Sequence, residues 1–400
     1  MNYQTASEFT SSTSSSTVTW KSPYIVIGRA NRIIAAAEGG ALSDAAEAKA
    51  TIDQYAAEAK VLRALAHFDL VRIYGKPYTE DQGASLGVPL VTGVLESNAK
   101  PARSTVAEVY TQVVKDLTEA ISSNALATET EPGYVSVWGA KAILSRVYLN
   151  MGDYANALSV AEDIIKNSGA ALWTRDQYFK AWDASTPNES EFLFRLNVAG
   201  STDNNDLNGI GNLQQRDGYK EMVATKKFVD MLTSDPEDVR NDMFLPATAA
   251  KEVATYGTNK VFLNKLRGQG GNLRNVTIVP IIRLSEVYLI AAEAQWHIDN
   301  PGSYTLTGTS AAAAEYINAI QKNRIEGYED VTSVTLQDIL HQYEIELFCE
   351  NQITYAYWRN HQSVTSGDEE EIKYNDYRTI LPIPQAERDY NKELQQNPEY

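Results

Sequence analysis

Residues 136–167 place the tightest constraint on how this chain folds. Trp138, Ala140, Leu144 and Tyr148 mark one helix, the turn Met151-Gly152-Asp153 interrupts it, and Tyr154, Ala157, Ala161 and Ile164 mark a second. Asp153 is suited to accept the first free amides of that second helix. The spacing of Leu144, Gly152, Tyr154 and Ala157 is that of a tetratricopeptide repeat, in which small alanine positions let paired helices approach closely. The long helical patterns before and after read as degenerate copies of the same unit.

The periodicity supports this along most of the chain. A helix is expected from Pro23 onward, with Ile25, Gly28, Ala30, Ile33 and Ile34 at helical spacing and Gly39-Gly40 as its stop. A longer one runs from about Thr51 to Tyr74 on a stripe of Tyr55, Ala59, Leu62, Ala66, Leu70 and Ile73, and Gly75 and Pro77 end it. Residues 75–103 read as a long loop. Thr105 and Glu108 form a capping box for a helix carrying Val106, Tyr110, Val113, Leu117 and Ile121. Arg283–Trp296 and Ala311–Arg324 make another pair across the loop Asp299–Thr309, and Thr335–Arg359 reads as one further helix. Residues 168–280 break the pattern with Gly, Asn and Asp and short apolar runs such as Glu191–Leu196. They read as a mixed insertion of loops, short helices and a few strands, and an insertion of that length is usually functional.

The expected fold class is therefore mainly α: a tetratricopeptide-like helical-repeat scaffold with an irregular, loop-rich insertion subdomain. Residues 1–400 form one domain, with N-terminal repeats at 24–167, the insertion at 168–280, C-terminal repeats at 281–360 and a closing segment at 361–400.

Lys and Arg number 35 against 52 Asp and Glu, a net charge of −17. Such a surface repels nucleic acid and anionic bilayers, so neither is an expected partner. No apolar run reaches membrane-spanning length. The single cysteine, Cys349, lies in a helical pattern and leaves no intrachain disulfide. Residues 1–19 are polar, with the run SSTSSSTVT from Ser11 to Thr19, and show no signal segment.

Catalytic and metal motifs are absent. There is no His-Glu-x-x-His, Cys-x-x-Cys, Gly-x-Ser-x-Gly or phosphate-binding loop. His67, His297, His341 and His361 are scattered, and His67 and His341 fall in helices as structural residues. Asn204, Asp206, Asn208, Gly209 and Gln215 match the spacing of a calcium loop. With one carboxylate among them, a turn-rich surface loop is the better reading. No cofactor, no metal and no enzymatic activity are expected.

The closing segment, LPIPQAERDYNKELQQNPEY from Leu381 to Tyr400, holds Pro382, Pro384 and Pro398, so neither of its ends is regular helix. Between the prolines stand Glu387, Asn391, Leu394, Gln396 and Asn397. It closely resembles the C-terminal signature of the SusD/RagB family. Trp20, Tyr24, Ile27, Ala30 and Asn31 resemble the family's first helix, and Arg63, Ala64, Phe68, Leu70, Tyr74 and Gly75 its second. Arg103, Ser104, Thr105, Asp116 and Leu117 follow, then the short element Asp238-Val239-Arg240. Arg283, Leu284, Glu286, Tyr288, Leu289, Ala292, Glu293 and Ala294 are similar to its most recognisable helix, and Asn318, Arg324, Glu346, Leu347, Glu350, Trp358 and Arg359 continue the order. Gln321 stands where the family has Arg, and Asn351 where Gly is usual.

The resemblance implies a cell-surface lipoprotein of the outer membrane that captures a nutrient without chemistry. The nutrient is a glycan or, as the runner-up, a peptide or protein fragment, delivered to a TonB-dependent SusC-like transporter. The lipid-bearing cysteine of the family is not among these residues, so membrane attachment through an N-terminal lipid is expected from sequence beyond them. An intracellular tetratricopeptide adaptor and a helical glycosidase are the rival readings. Sugar binding needs aromatic faces and planar amide or carboxylate groups, and these belong on loops. The candidates by loop composition are Tyr78 and Asp81, then Asn204, Asn205 and Tyr219, then Tyr304. Trp138, Tyr148, Tyr288 and Trp358 are assigned to the helical core.

Overall fold

A computed structural model describes residues 14–40, 42, 46–196, 198, 210–216, 218–220, 223–266, 268, 276–365 and 370–400. The chain opens with α1 (Ser14–Glu38), α2 (Lys49–Tyr74), the short α3 (Tyr78–Asp81), α4 (Val106–Ser122), α5 (Val137–Met151) and α6 (Tyr154–Asn167). The expected insertion holds α7 (Arg175–Ala181), β1 (Phe192–Leu196), α8 (Ile210–Gln214), α9 (Lys226–Leu232), β2 (Phe244–Pro246), α10 (Ala250–Tyr256), β3 (Lys260–Leu263) and β4 (Val279–Arg283). Then come α11 (Leu284–Asp299), β5 (Thr309–Ser310), α12 (Ala311–Lys322), β6 (Val334–Thr335), α13 (Leu336–Leu347), α14 (Ile353–Arg359), β7 (Val364–Thr365), β8 (Glu371–Ile372) and α15 (Gln385–Tyr390). The protein is mainly helical, and its described strands form only two-stranded antiparallel pairs.

Two compact units share these elements. A terminal unit comprises the described residues up to Thr130, Val135–Ile164 and Thr354–Tyr400; a middle unit comprises Glu131–Tyr134 and Ile165–Ile353. In the terminal unit α1 packs along α2, α2 against α4, and α4 against α5. Gly152 ends α5 at φ 75°, a left-handed conformation that glycine adopts without a Cβ clash, and Lys141 meets Asp163 on α6 at 2.6 Å. In the middle unit α11 packs with α12 and α13.

Two expected helices differ. α1 begins ahead of Pro23 and runs through it. Tertiary contacts hold the turn before the proline: Trp20 is buried edge-on against Tyr74 at 4.9 Å, and the Thr19 hydroxyl lies 2.8 Å from that of Tyr74. The single helix expected over Thr335–Arg359 is two, α13 and α14. The chain breaks between them, with Cys349 at φ 63° and Asn351 at φ 58°, so Cys349 is not helical. The left-handed turn at Asn351 explains a position where glycine is usual. The break also frees two carbonyls, which accept hydrogen bonds from Lys265 Nζ: Glu346 at 2.9 Å and Phe348 at 3.1 Å.

That lysine belongs to the buried charge cluster of the middle unit. Arg240, Lys265, Arg283 and Arg324 are fully buried and face Asp238, Glu191, Glu346 and Glu350, four cations against four carboxylates. Glu346 is the hub. One oxygen accepts from Arg283 at 2.7 Å and Arg324 at 2.8 Å, and the other from Arg240 at 3.1 Å. Pairing of Phe192 on β1 with Arg283 on β4 sets Glu191 beside the Arg283 guanidinium, 2.5 Å away. Arg240 also donates to Gln321 Oε1 at 2.8 Å, so the neutral residue at that position serves as an acceptor.

Burial opposes the charge of Glu346, but Arg324, Arg283 and Arg240 outweigh it and hold its carboxyl well below the ordinary range. A depressed carboxyl stabilises the fold above its unfolded pKa of about 4.3, and that contribution is lost as pH falls. Glu346→Gln is therefore expected to cost about 3–5 kcal/mol of unfolding free energy at neutral pH, because it leaves three arginines under-compensated. Its stability should also fall less than the wild type's on acidification. Urea titrations at neutral and acid pH check both, and a neutral-pH loss below about 1 kcal/mol would show that the cluster tolerates the missing charge.

Candidate functional site

The loop after α2 frames the site, and long-range bonds pin it along its length. Arg63 grips Asp116 through two hydrogen bonds of 2.8 and 2.6 Å and donates to Thr92 O, while Asn31 donates to the carbonyls of Val91 and Gly93. His67 Nε2 accepts from Val91 N at 3.2 Å and Nδ1 lies 3.0 Å from Arg63 O, so the ring is neutral with Nδ1 protonated. At the far end Arg103 donates to the carbonyls of Gly87, Leu86 and Tyr74 and to Asn397 Oδ1 at 2.7 Å. Asn397 in turn donates to Tyr74 O and Leu381 O, and Asn391 to Pro101 O. The closing segment thus ties the loop to the end of α2.

Where α2 passes into α3, the terminal unit has a small recess. Tyr78, Tyr110, Tyr355 and Trp358 give it aromatic walls, and Arg72, Lys76 and Arg359 line it as cations. Asn150, Thr379 and Pro77 complete the lining. Tyr110 stands edge-on to both Tyr78 (5.2 Å) and Phe68 (5.6 Å). Arg72 is held flat between Phe68 and Tyr355, 4.1 and 4.3 Å from their ring centres, and donates to Asp69 at 2.6 Å. Burial opposes its charge, but Asp69 outweighs that and raises its pKa, so Arg72 is cationic at every ordinary pH. Burial pushes the Tyr110 phenol far above its usual range, so it stays neutral. Lys76 Nζ reaches Glu80 at 2.6 Å.

Of the residues expected from sequence, Tyr78 lies in this hollow. Asp81, three residues on, accepts from the amides of Ala84 and Ser85 at 3.1 Å each, which closes the turn after α3. Tyr219 is 52% exposed in the middle unit, and Tyr304 stands edge-on to His297 at 5.6 Å in the loop between α11 and β5. Asn204, Asn205 and most of the calcium-loop pattern lie outside the described residues. Among the described residues no group of three His, Cys, Asp or Glu is arranged to hold a metal, and no helix is long and apolar enough to cross a membrane. Trp138, Tyr148 and Tyr288 are half-buried rather than core, because each sits at the edge of its helix's packed face; Trp358 is buried. Loop composition missed Arg72, Tyr110, Asn150, Tyr355 and Arg359, since all are carried by helices. The available signal was the α2 exit Tyr74-Gly75-Lys76-Pro77-Tyr78, where the chain must turn away from a packed helix.

Fold and hollow together define a helical-repeat protein with a recessed aromatic surface. A family model described as SusD-like, starch-binding associating with outer membrane, matches residues 1–149, and the model of the SusD family matches residues 216–400. A SusD superfamily protein of Bacteroides thetaiotaomicron is 33% identical in its crystal structure, with a TM-score of 0.85 over 95% of this chain and 85% of its own. A laminarin-binding SusD-like protein superposes with a TM-score of 0.73 over 96% of this chain and 86% of its own; at 23% identity that likeness is one of fold. A SusD-like protein of Bacteroides ovatus is 31% identical over 175 residues, 39% of this chain and 28% of that protein. The matched segments span only 28% and 32% of the two curated relatives. The chain belongs to the SusD/RagB family.

His67 makes the loop's anchorage pH-dependent. Burial pushes its pKa down to about 4, from 6.5 in an exposed chain. For a base with a depressed pKa, stability is full above the unfolded value and is lost as pH falls toward the folded one. That loss amounts to about 3 kcal/mol for this shift. His67→Gln is expected to flatten the stability profile between those limits by up to that amount, measured as the difference in urea midpoints between neutral pH and mild acid.

Proposed function

We propose that this protein binds a nutrient glycan at the hollow beside Tyr78, without catalysis, and delivers it to a TonB-dependent SusC-like transporter while held at the outer-membrane surface by an N-terminal lipid. The observation that carries the reading is the convergence of Tyr78 and Trp358 with side-chain donors on Asn150, Lys76 and Arg359 in one recess. Aromatic rings pack against the C–H faces of sugars while planar amides and cations meet the oxygens. The starch-binding description of the family and the laminarin-binding relative support a glycan rather than a peptide. Tyr219 and Tyr304 are proposed as accessory contacts, and Asn204 and Asn205 as the polar groups of a second loop. Asp81, whose carboxylate serves the turn, is proposed to position Tyr78.

Calorimetric titration with starch and laminarin oligosaccharides tests this. Tyr78→Ala is expected to weaken binding by about tenfold, close to 1.4 kcal/mol, with an unchanged circular-dichroism spectrum. Tyr219→Ala should weaken it less. Glycan binding that Tyr78→Ala leaves intact would move the site elsewhere, and peptide binding without glycan binding would select the peptide reading. Reducing ends released from polysaccharide, and lost on replacing one carboxylate, would overturn the non-catalytic role.

A further inference from the structure

The outward face of α1 departs from the acidic average of the chain. Glu38 is the helix's only acidic residue, although the chain has 52, and it lies at the last position, 3.3 Å from Lys60 on α2. Lys21, Arg29 and Arg32 are exposed, and among the described residues none of them has an ion-pair partner. At about 100° per residue, Val18, Ile25, Arg29 and Ala36 project within about 40° of one another, with Lys21 and Arg32 on one flank and Val26 and Ile33 on the other. Trp20, Ile27, Ala30, Asn31 and Ile34 fill the opposite, buried side. Val18, Ile25, Val26 and Ile33 are nevertheless 38–60% exposed, and a side chain at Gly28 would meet no atom within 4 Å. A helix that is apolar on both sides calls for a second cover.

We propose that this face of α1 rests on a surface of anionic lipid head groups, with Lys21, Arg29 and Arg32 on the phosphates and the exposed valines and isoleucines at the edge of the acyl chains. The proposal does not depend on the glycan reading above.

Charge and residue type select this occupant. Aliphatic side chains flanked by Lys and Arg are the pattern of a helix lying in a membrane interface, and a fluid layer of phosphates accepts cations at any spacing. A second copy fits poorly. Two such helices packed antiparallel about a two-fold axis near Val26 would set Lys21 against Arg32 of the other copy, and like charges facing each other are costly. A protein partner would be expected to meet aromatic anchors, and no aromatic ring is exposed on this face. The net charge of −17 predicts repulsion from an anionic bilayer, but the structure gathers three unpaired cations on one helix. Exposed charges more than about 8 Å away are largely screened at physiological ionic strength, so the local sign decides the contact. Three cations at such a surface give on the order of a hundredfold in lipid partition.

Vesicle flotation of the 400-residue chain tests this, comparing phosphatidylcholine alone with phosphatidylcholine and phosphatidylglycerol in equal parts, at low and high salt. The chain is expected to float with the anionic vesicles only, and to leave them as salt rises. Arg29→Glu with Arg32→Glu should weaken that binding at least tenfold. Ile25→Ser with Ile33→Ser should weaken it severalfold, and all variants should keep the wild-type circular-dichroism spectrum. Lys180→Glu with Lys227→Glu, two exposed cations away from α1, lowers the net charge equally and should have little effect. No binding to anionic vesicles, equal binding to both kinds, or equal loss in the two charge-reversed pairs would overturn the proposal. Salt-sensitive binding to polyglutamate without vesicle binding, lost in the Arg29 and Arg32 pair, would assign the face to an acidic protein instead.

Discussion

The middle unit depends on the compensation of Glu346. A carboxylate with no exposure, facing Arg240, Arg283 and Arg324, is tolerable only when all of those partners are in place. Together with Glu191, Asp238, Lys265 and Glu350 they form a neutral set, and its members come from the residue before β1, the turn before β2, the segment after β3, the end of β4, the turn after α12, α13 and the break that follows. The cluster therefore acts on topology more than on net stability. A mispaired strand or a continuous α13–α14 helix would strand a charge in low dielectric, which costs several kcal/mol. The left-handed break at Cys349 and Asn351 is part of the same device, because it turns the Phe348 carbonyl onto Lys265.

The terminal unit uses hydrogen bonds from a buried guanidinium and a carboxamide for an equivalent purpose. Arg103 and Asn397, 294 residues apart in sequence, share a 2.7 Å bond and both donate to the Tyr74 carbonyl at the end of α2. A loop treated this way is a fixed wall. The clamped Arg72 follows the same logic at the scale of one side chain.

Much of the helical architecture was legible from local signals. The Thr105–Glu108 capping box, the Gly152 stop and the Gly75 exit from α2 are each formed as their residue types require. The site was less legible. Loop composition singled out Tyr78, but Tyr110 and Tyr355 belong to helical stripes that look like ordinary packing. The reverse error, assigning Trp138, Tyr148 and Tyr288 to the core, has the same origin. Periodicity says which side of a helix is apolar and not how far a neighbour covers it.

By itself the sequence determined the helical class, most helix starts and stops and the family, since these rest on interactions a few residues long or on motifs in fixed order. Only the tertiary structure decided that Thr335–Arg359 is two helices, that Pro23 sits inside one, and that Arg324 meets Glu191 across 133 residues. The physical reason is the range of the forces. Capping and φ preferences act within a turn, whereas burial of charge rewards whichever complementary groups the packed chain brings together, and no spacing along the chain records that choice.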